Sequence, residues 1–274
     1  VEQLHWGGGT PTFLPDDQMR ELMDATRQHF DLAPDGEYSI EIDPRKVGTE
    51  TVELLGEIGF NRMSLGVQDF DENVQRAVNR IQSEEETLNV LRAARANNFK
   101  SISVDLIYGL PHQNIISFNR TLERVISADP DRISIYNYAH LPGLFKPQRR
   151  IEVADLPKAE EKVGMLASAI DVFGHAGYDY IGMDHFALPD DELASAQEDG
   201  SLQRNFQGYT THGHCDLIGL GVSAISQVGD VYSQNLKTLP EYEAALAGGL
   251  PTVARGHQLS AEDRLRRDVV MTLM

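Results

Sequence analysis

Gly59-Phe-Asn-Arg-Met-Ser-Leu-Gly-Val-Gln-Asp69 opens the stretch that decides the fold, and Ser101-Ile-Ser-Val-Asp-Leu106 closes it. Both contain short apolar runs bounded by glycine or polar residues, which predicts strands over Arg62–Gly66 and Ser101–Leu106. Between them lie helical patterns near Asp71–Val78 and Ser83–Asn97. In the second of these, Leu88, Leu91 and Ala94 recur at a spacing near 3.6 residues and form one face. A strand, a helical crossover and another strand make the unit of a parallel sheet.

The unit repeats in both directions. Upstream, strands at Gln3–His5 and Tyr38–Ile42 alternate with helices at Asp16–His29 and Thr49–Ile58. Downstream, a helix at Ile115–Ser127, with Phe118, Leu122 and Val125 on one face, precedes a strand at Arg132–Tyr136. A helix at Lys158–Ala176 then precedes a strand at Tyr180–Gly182. Beyond it the pattern loosens to a helix at Asp190–Asp199 and a short strand at Leu217–Leu220. Leu141-Pro-Gly143 marks a loop, and no internal repeat or low-complexity run is present.

The residues after each strand are the functional signal. Gly7-Gly-Gly-Thr10 follows the first strand and Glu41-Ile-Asp43-Pro44 closes the second. Gly66-Val-Gln68 follows the third, and Asp105 with Tyr108-Gly109 ends the fourth. Asn137-Tyr-Ala139-His140 follows the fifth and Met183-Asp-His185 the sixth. Barrel enzymes place their active sites at the C-terminal ends of the strands, and open α/β sheets follow a similar rule at their switch point. The pattern predicts an enzyme.

Composition narrows the class. The chain has 274 residues, 41% of them apolar, enough for a packed core. Lys and Arg number 24 against 42 Asp and Glu, a net charge of −18, which repels nucleic acid and anionic lipid. No run approaches the roughly 18 apolar residues of a membrane span, and no signal-peptide pattern is present. A cytoplasmic protein with no membrane span and no nucleic-acid partner is expected. Cys215 is the one cysteine; it excludes an internal disulfide, in keeping with a reducing compartment, and one thiolate is too few for an iron–sulfur cluster. The chain starts at Val1 beside an apolar stretch and ends in a helix begun at Ser260, with Asp263 at the third helical position. The expectation is a portion of a longer protein, with a barrel core at 1–230 and the start of a truncated helical region at 231–274.

Each motif carries two readings. Gly7-Gly-Gly-Thr10-Pro11 exposes backbone N–H groups that suit a carboxylate, or it is a tight turn with Thr10 bonding locally; its spacing is not that of a phosphate loop. Glu41, with Asp43 on its face by the period of two, is costly inside a barrel unless it meets a ligand or pairs with Arg45 or Arg62. Arg80 reads alone as a solvated helix-end cation, and Gln68 and Asp105 as caps or turn formers. His212-Gly-His-Cys215 reads as a surface loop, because so short a span does not easily direct three side chains to one tetrahedral ion, and no metal ligand is predicted. Lys146-Pro-Gln-Arg149-Arg150 is either solvated surface or a carboxylate-binding edge. The chain has neither Gly-x-Ser-x-Gly nor His-Glu-x-x-His, so hydrolase chemistry is unsupported.

A set of strings, in order, resembles the oxygen-independent coproporphyrinogen III oxidases. They are His5-Trp-Gly-Gly-Gly-Thr-Pro11, Ser39-Ile-Glu-Ile-Asp-Pro-Arg45, Gly59 to Asp69, Val78-Asn-Arg80 and Asp105-Leu-Ile-Tyr-Gly-Leu-Pro111. They continue with Tyr136-Asn-Tyr-Ala-His-Leu-Pro142, Tyr180-Ile-Gly-Met-Asp-His-Phe-Ala187, Asn205-Phe-Gln-Gly-Tyr-Thr210 and Gly219-Leu-Gly-Val-Ser-Ala-Ile-Ser226. The resemblance implies an α/β fold, a partial (β/α)6 TIM-like radical-SAM barrel. It implies two S-adenosylmethionine molecules and a [4Fe–4S] cluster in the complete protein, with the three cluster cysteines in a loop before the region matched here. Positions matching the first S-adenosylmethionine site are Gly8, Glu41 and Ile225. Those matching the second are Gly9, Thr10, Gln68, Arg80, Asp105 and Ala139. Gln207 falls in a motif near the active site and is the implied catalytic residue. The implied reaction is radical oxidative decarboxylation of coproporphyrinogen III to protoporphyrinogen IX in haem biosynthesis, on a tetrapyrrole substrate, with electron donor and acceptor left open. The portion alone is expected to be inactive. A haem chaperone of the same superfamily, which binds rather than converts tetrapyrrole, is the alternative, and a radical-SAM enzyme with another substrate a further one.

Overall fold

Strand β1 (Gln3–Trp6) pairs in parallel with β2 (Glu37–Ile42), β2 with β3 (Arg62–Gln68), β3 with β4 (Ser101–Tyr108), and β4 with β5 (Arg132–Asn137). Neighbours in space are neighbours in sequence. Right-handed crossovers then put every connecting helix on one side, which curls the sheet towards a barrel rather than leaving it covered on both faces. The helices are α1 (Asp16–His29), α2 (Thr49–Glu57), α3 (Glu72–Ala77), α4 (Glu84–Ala96), α5 (Ile115–Ala128) and α6 (Ala159–His175). This is a partial (β/α)6 TIM-like barrel. It is a computed structural model that describes residues 1–273.

The predicted elements form for local reasons. Asp71 accepts from the N–H groups of Asn73 and Val74 to start α3. Ser83 and Glu86 bond reciprocally across the first turn of α4, which satisfies two otherwise orphaned donors. Asn114 accepts from Ile116 and Ser117, both at 3.0 Å, to start α5. The apolar stripe of α5 then buries Phe118 and Leu122 completely, against a core that includes Leu65, Ile102, Val104 and Ile133 from the strands. Strand residues alternate accordingly. In β3, Met63, Leu65 and Val67 are buried, while Arg62, Ser64, Gly66 and Gln68 lie on the other, partly open face.

The sixth strand position departs from simple repetition. β6 (Asp179–Gly182) lies at the sheet edge, and β7 (His185–Ala187) sits between it and β5, antiparallel to both. Met183-Asp184 is therefore the turn of a hairpin, and His185 opens β7. Because β6 runs in the direction of β5, that turn stays at the C-terminal end of the strands. β3 also runs two residues beyond its predicted end, through a bulge between Gly66 and Gln68.

The chain divides into two compact units, Val1–Ser195 and Ala196–Met274, with the division inside α7 (Glu192–Asp199). The second unit holds a two-stranded sheet of β8 (Gln203–Asn205) and β9 (Gly208–Thr210). It also holds an antiparallel sheet of β10 (Ile225–Val228), β11 (Val231–Asn235) and β12 (Val253–Gln258), with helices α8 (Leu239–Ala247) and α9 (Ala261–Leu273). The expected boundary at 230/231 falls in the β10–β11 turn of this unit. Where a strand was predicted over Leu217–Leu220, only Leu217 pairs, in an isolated bridge with Gln227.

Candidate cofactor-binding site

At the end of β1, Gly7 leaves room that no other residue could. A Cβ there would sit 2.4 Å from His5 Nε2 and 2.8 Å from Glu41 Oε1. Gly8 takes φ +98°, a conformation open to glycine, and its N–H donates to Glu41 Oε2 at 3.1 Å. His5 closes the group, with Nε2 at 3.4 Å from Glu41 Oε1 and Nδ1 at 2.7 Å from Ser39 Oγ. The hydrogen bond from His5 holds the Glu41 carboxyl below the usual carboxylate range, against the opposing effect of partial burial. Neither predicted arginine partner serves Glu41. Arg45 binds Asp43, and Arg62 reaches Glu37 and Glu192. Gly8, Gly9 and Thr10 remain exposed, and the Thr10 side chain makes no capping bond.

The bulge that ends β3 builds the next part. Gln68 has φ +70°, which is uncommon for a residue with a side chain. Arg80 lies three residues past α3, yet its side chain turns inward and its Nη2 donates to the Gly66 carbonyl at 2.7 Å. Gly66 permits this, because a Cβ would stand 3.1 Å from both Arg80 Nη2 and Gln68 Nε2. Asp43 Oδ1 lies 3.5 Å from Arg80. Burial draws the Arg80 guanidinium below its ordinary value, as does nearby Arg45, while Asp43 opposes them. Gln68 Oε1 and Arg80 Nε are buried with no hydrogen-bond partner. Arg80 is not the solvated helix-end cation that its sequence position suggests, and Gln68 is not a helix cap.

Asp105 lies inside β4, beside Gly66 on one strand and Ser134 on the other. It too is no cap. Ser64 Oγ donates to its Oδ2 at 2.6 Å. Burial pushes the carboxyl up, and the nearby charge of Glu41 adds to this, while the hydrogen bonds from Ser64 and Ser134 oppose it. Burial, then the charge of Asp105, push the Tyr136 phenol up to about 12. The Tyr136 ring meets that of His185 edge-on at 6.1 Å. Sequence reasoning passed over Ser64, Ser134, Tyr136 and the ring of His5. The available signal was the period of two, which puts Ser64 on the face of Gly66 and Ser134 on the face of Tyr136.

A buried network fixes the loops that carry these groups. Asp69 accepts from Gln113 Nε2 at 2.5 Å, from Thr121 Oγ1 at 2.8 Å and from the Asp71 N–H at 2.6 Å. Gln113 in turn accepts from the N–H of Gly109 at 2.6 Å. After β5, Ala139 is exposed and its carbonyl accepts from Gln148 Nε2 at 3.0 Å. The loop continues through exposed Leu144 and Phe145 to the basic run, where Lys146, Arg149 and Arg150 are all exposed; Arg149 Nε donates to the Pro142 carbonyl.

Two predicted residues lie in the second unit. Ile225 begins β10 opposite Gln234, and Gly219 packs so closely on it that a Cβ would stand 2.5 Å from the Ile225 carbonyl oxygen. Gln207 is exposed in the β8–β9 turn, its N–H donating to Asn205 Oδ1 at 2.8 Å.

Comparison with known proteins finds relatives of this chain. Residues 1–125 match the radical SAM superfamily. Along its whole length the chain is 59% identical to the oxygen-independent coproporphyrinogen III oxidase of Pseudomonas aeruginosa and 51% identical to that of Escherichia coli. It spans 60% of the length of each. The solved structure of Escherichia coli coproporphyrinogen III oxidase, described as a radical SAM enzyme, superposes with a TM-score of 0.98 over the entire chain and 63% of that protein. An archaeal Elp3 from Methanocaldococcus infernus, 18% identical over 61% of the chain, shares the fold at a TM-score of 0.50. The chain is thus similar along its whole length to the oxygen-independent coproporphyrinogen III oxidases, and its first 125 residues to the radical SAM superfamily.

Proposed function

We propose that this chain forms the S-adenosylmethionine-binding barrel of an enzyme that oxidatively decarboxylates coproporphyrinogen III to protoporphyrinogen IX, with two S-adenosylmethionine molecules in the complete protein. The observation that carries the reading is the pair of buried, unpartnered atoms Gln68 Oε1 and Arg80 Nε at the C-terminal end of the sheet. Buried polar groups without a partner are costly. An acceptor and a cationic donor side by side suit the ammonium and carboxylate of a methionine-like ligand.

The chain's residues would divide the work. Gly8 and Glu41 would hold the first S-adenosylmethionine. Gly9, Thr10, Gln68, Arg80, Asp105 and Ala139 would hold the second. Glu41 stays ionised and Asp105 is an acceptor set among serines, so both favour a ligand that carries positive charge and donor groups. Bound S-adenosylmethionine supplies the radical chemistry that abstracts hydrogen from a substrate propionate. The barrel's part is to position the reactants and shield them from side reactions. Gln207 would lie near the substrate. The exposed loop with Leu144, Phe145, Lys146, Arg149 and Arg150 pairs apolar surface with cations, a combination that suits a macrocycle bearing carboxylates. One cysteine does not fit a [4Fe–4S] cluster, which takes several thiolates. No described helix is long and apolar enough to cross a membrane.

The test uses the complete protein, anaerobic and reconstituted with iron and sulfide, acting on coproporphyrinogen III with product mass as readout. Loss of two carboxyl groups dependent on S-adenosylmethionine is expected. An intact cluster with haem retained and no turnover would contradict the reading and favour a haem chaperone. Replacing Lys146, Arg149 and Arg150 together by Ala should weaken substrate binding; unchanged affinity would remove that loop from the substrate site.

A further inference from the structure

The segment His212-Gly-His-Cys215 lies outside all the chemistry above, and its folding reverses what its length suggests. The Cys215 N–H donates to the His212 carbonyl at 3.0 Å, a bond between residues i and i+3 that closes a turn and brings its first and last side chains together. Gly213 makes the turn possible, since a Cβ there would sit 2.3 Å from Gln203 Cγ and 2.6 Å from its Cβ. Both shoulders are tied down within the second unit. The His212 N–H donates to Thr210 Oγ1 at 3.0 Å. Leu217 pairs with Gln227, and the Gly229 N–H donates to Asp216 Oδ1 at 2.7 Å. The outcome is convergence: one ring nitrogen of His212, one of His214 and the Cys215 sulfur lie within 4.8 Å of one another. The two imidazoles stand 6.0 Å apart, centre to centre. His212 is half-buried, whereas His214 and Cys215 are open to solvent.

We infer that these three side chains form a site for a divalent transition-metal ion, Zn²⁺ being the best match. Two imidazoles and a thiolate are the donors that zinc takes at roughly 2.0–2.3 Å, which sets neighbouring donors about 3.5 Å apart. Side-chain rotation within an anchored turn closes the remaining distance. Three donors from this one turn leave a fourth tetrahedral position to a further ligand. The chain's net charge of −18 favours any cation that approaches. This site is separate from a [4Fe–4S] cluster, for it needs neither sulfide nor further cysteines.

The experiment is a Zn²⁺ titration of the full chain by competition with a chromophoric chelator, in buffer free of sulfide, with Co²⁺ as the spectroscopic probe. One equivalent should bind. The Co²⁺ form should show a thiolate charge-transfer band and the strong visible bands of a four-coordinate ion. His212→Ala, His214→Ala and Cys215→Ser should each weaken Zn²⁺ by more than about 100-fold, beyond the roughly 10–100-fold that loss of an outer-shell partner costs. His257→Ala, a change to an exposed histidine of the same unit, should leave affinity unchanged, and circular dichroism should stay native for all four variants. Absence of stoichiometric Zn²⁺ binding would overturn the inference. So would a Co²⁺ spectrum without the thiolate band, or affinity that survives both histidine substitutions.

Discussion

The two ends of the parallel strands treat charge in opposite ways. At the N-terminal end, acids and arginines meet. Arg62 Nη2 lies 2.6 Å from Glu192 and 3.6 Å from Glu37, and Arg132 Nε lies 2.8 Å from Asp191 while its other nitrogen reaches Glu192. At the C-terminal end one tight pair, Arg45 with Asp43, stands beside groups that lack such a partner. Asp105 has serines for partners, and Arg80 spends its guanidinium on a backbone carbonyl and a carboxylate 3.5 Å away. Unpartnered nitrogens do not by themselves separate the two ends, because Arg62 also has two. The distinction lies in the company. Around Arg80 stand a left-handed Gln68, a glycine whose Cβ would crowd both side chains, and a buried acid bonded by serines. One end is assembled for stability, and the other is held ready at the expense of stability.

Breaking the base should cost most. Arg132→Ala strands Asp191, whose side chain is only 5% exposed, and removal of one partner from a buried ion pair typically costs about 3–5 kcal/mol. Denaturant unfolding should register that loss. A change below 1 kcal/mol would show that the base is not a stabilising network.

At the opposite end the sign should reverse. The folded-state pKa of Asp105 is raised, so the folded form holds its proton where the unfolded form has lost it. Stability therefore falls as pH rises from the ordinary carboxylate value towards the folded value, and the deficit persists above it. Asp105→Asn removes the titration. The variant should be more stable than the parent at neutral pH, with the difference shrinking as pH falls from the raised folded value towards the ordinary carboxylate value of about 4. A variant less stable at neutral pH would contradict the proposed strain.

Glu41 should give the smallest effect. Its folded pKa is lowered, so its contribution is present above the ordinary carboxylate value and is lost as pH falls through the folded value. The side chain is 46% exposed, which keeps the contribution under about 1 kcal/mol. Glu41→Gln should flatten the acid limb of the stability profile slightly. An unchanged limb would show that the His5 contact is not formed in solution.

The comparison also separates what a sequence discloses from what it conceals. The β/α alternation was legible because the outward face of each strand is apolar. Ile40, Leu65 and Ile133, all in predicted strands, are fully buried. Gln68 could be located at a strand end, whereas Asp105 lies inside β4, and Arg80 could not be read alone, since its inward turn depends on the bulge at Gly66 and on the missing Cβ there. β7 escaped because three residues are too few to show alternation. β12 escaped because it is exposed along its whole length and so carries no apolar period. The convergence of His212, His214 and Cys215 was hidden for a different reason: their separation in sequence says nothing of the turn that folds them together.

The most direct test of the account is equilibrium titration of S-adenosylmethionine into the full chain, its Gln68→Ala and Arg80→Ala variants, and Arg132→Ala under conditions where it is folded. The account predicts saturable binding that weakens at least about tenfold in the first two, in line with the roughly 1.5–3 kcal/mol of a charged hydrogen bond, and is unchanged in the third. No binding by the parent chain, or equal affinity in Gln68→Ala and Arg80→Ala, would contradict the claim that the C-terminal end of the sheet is held ready for this ligand.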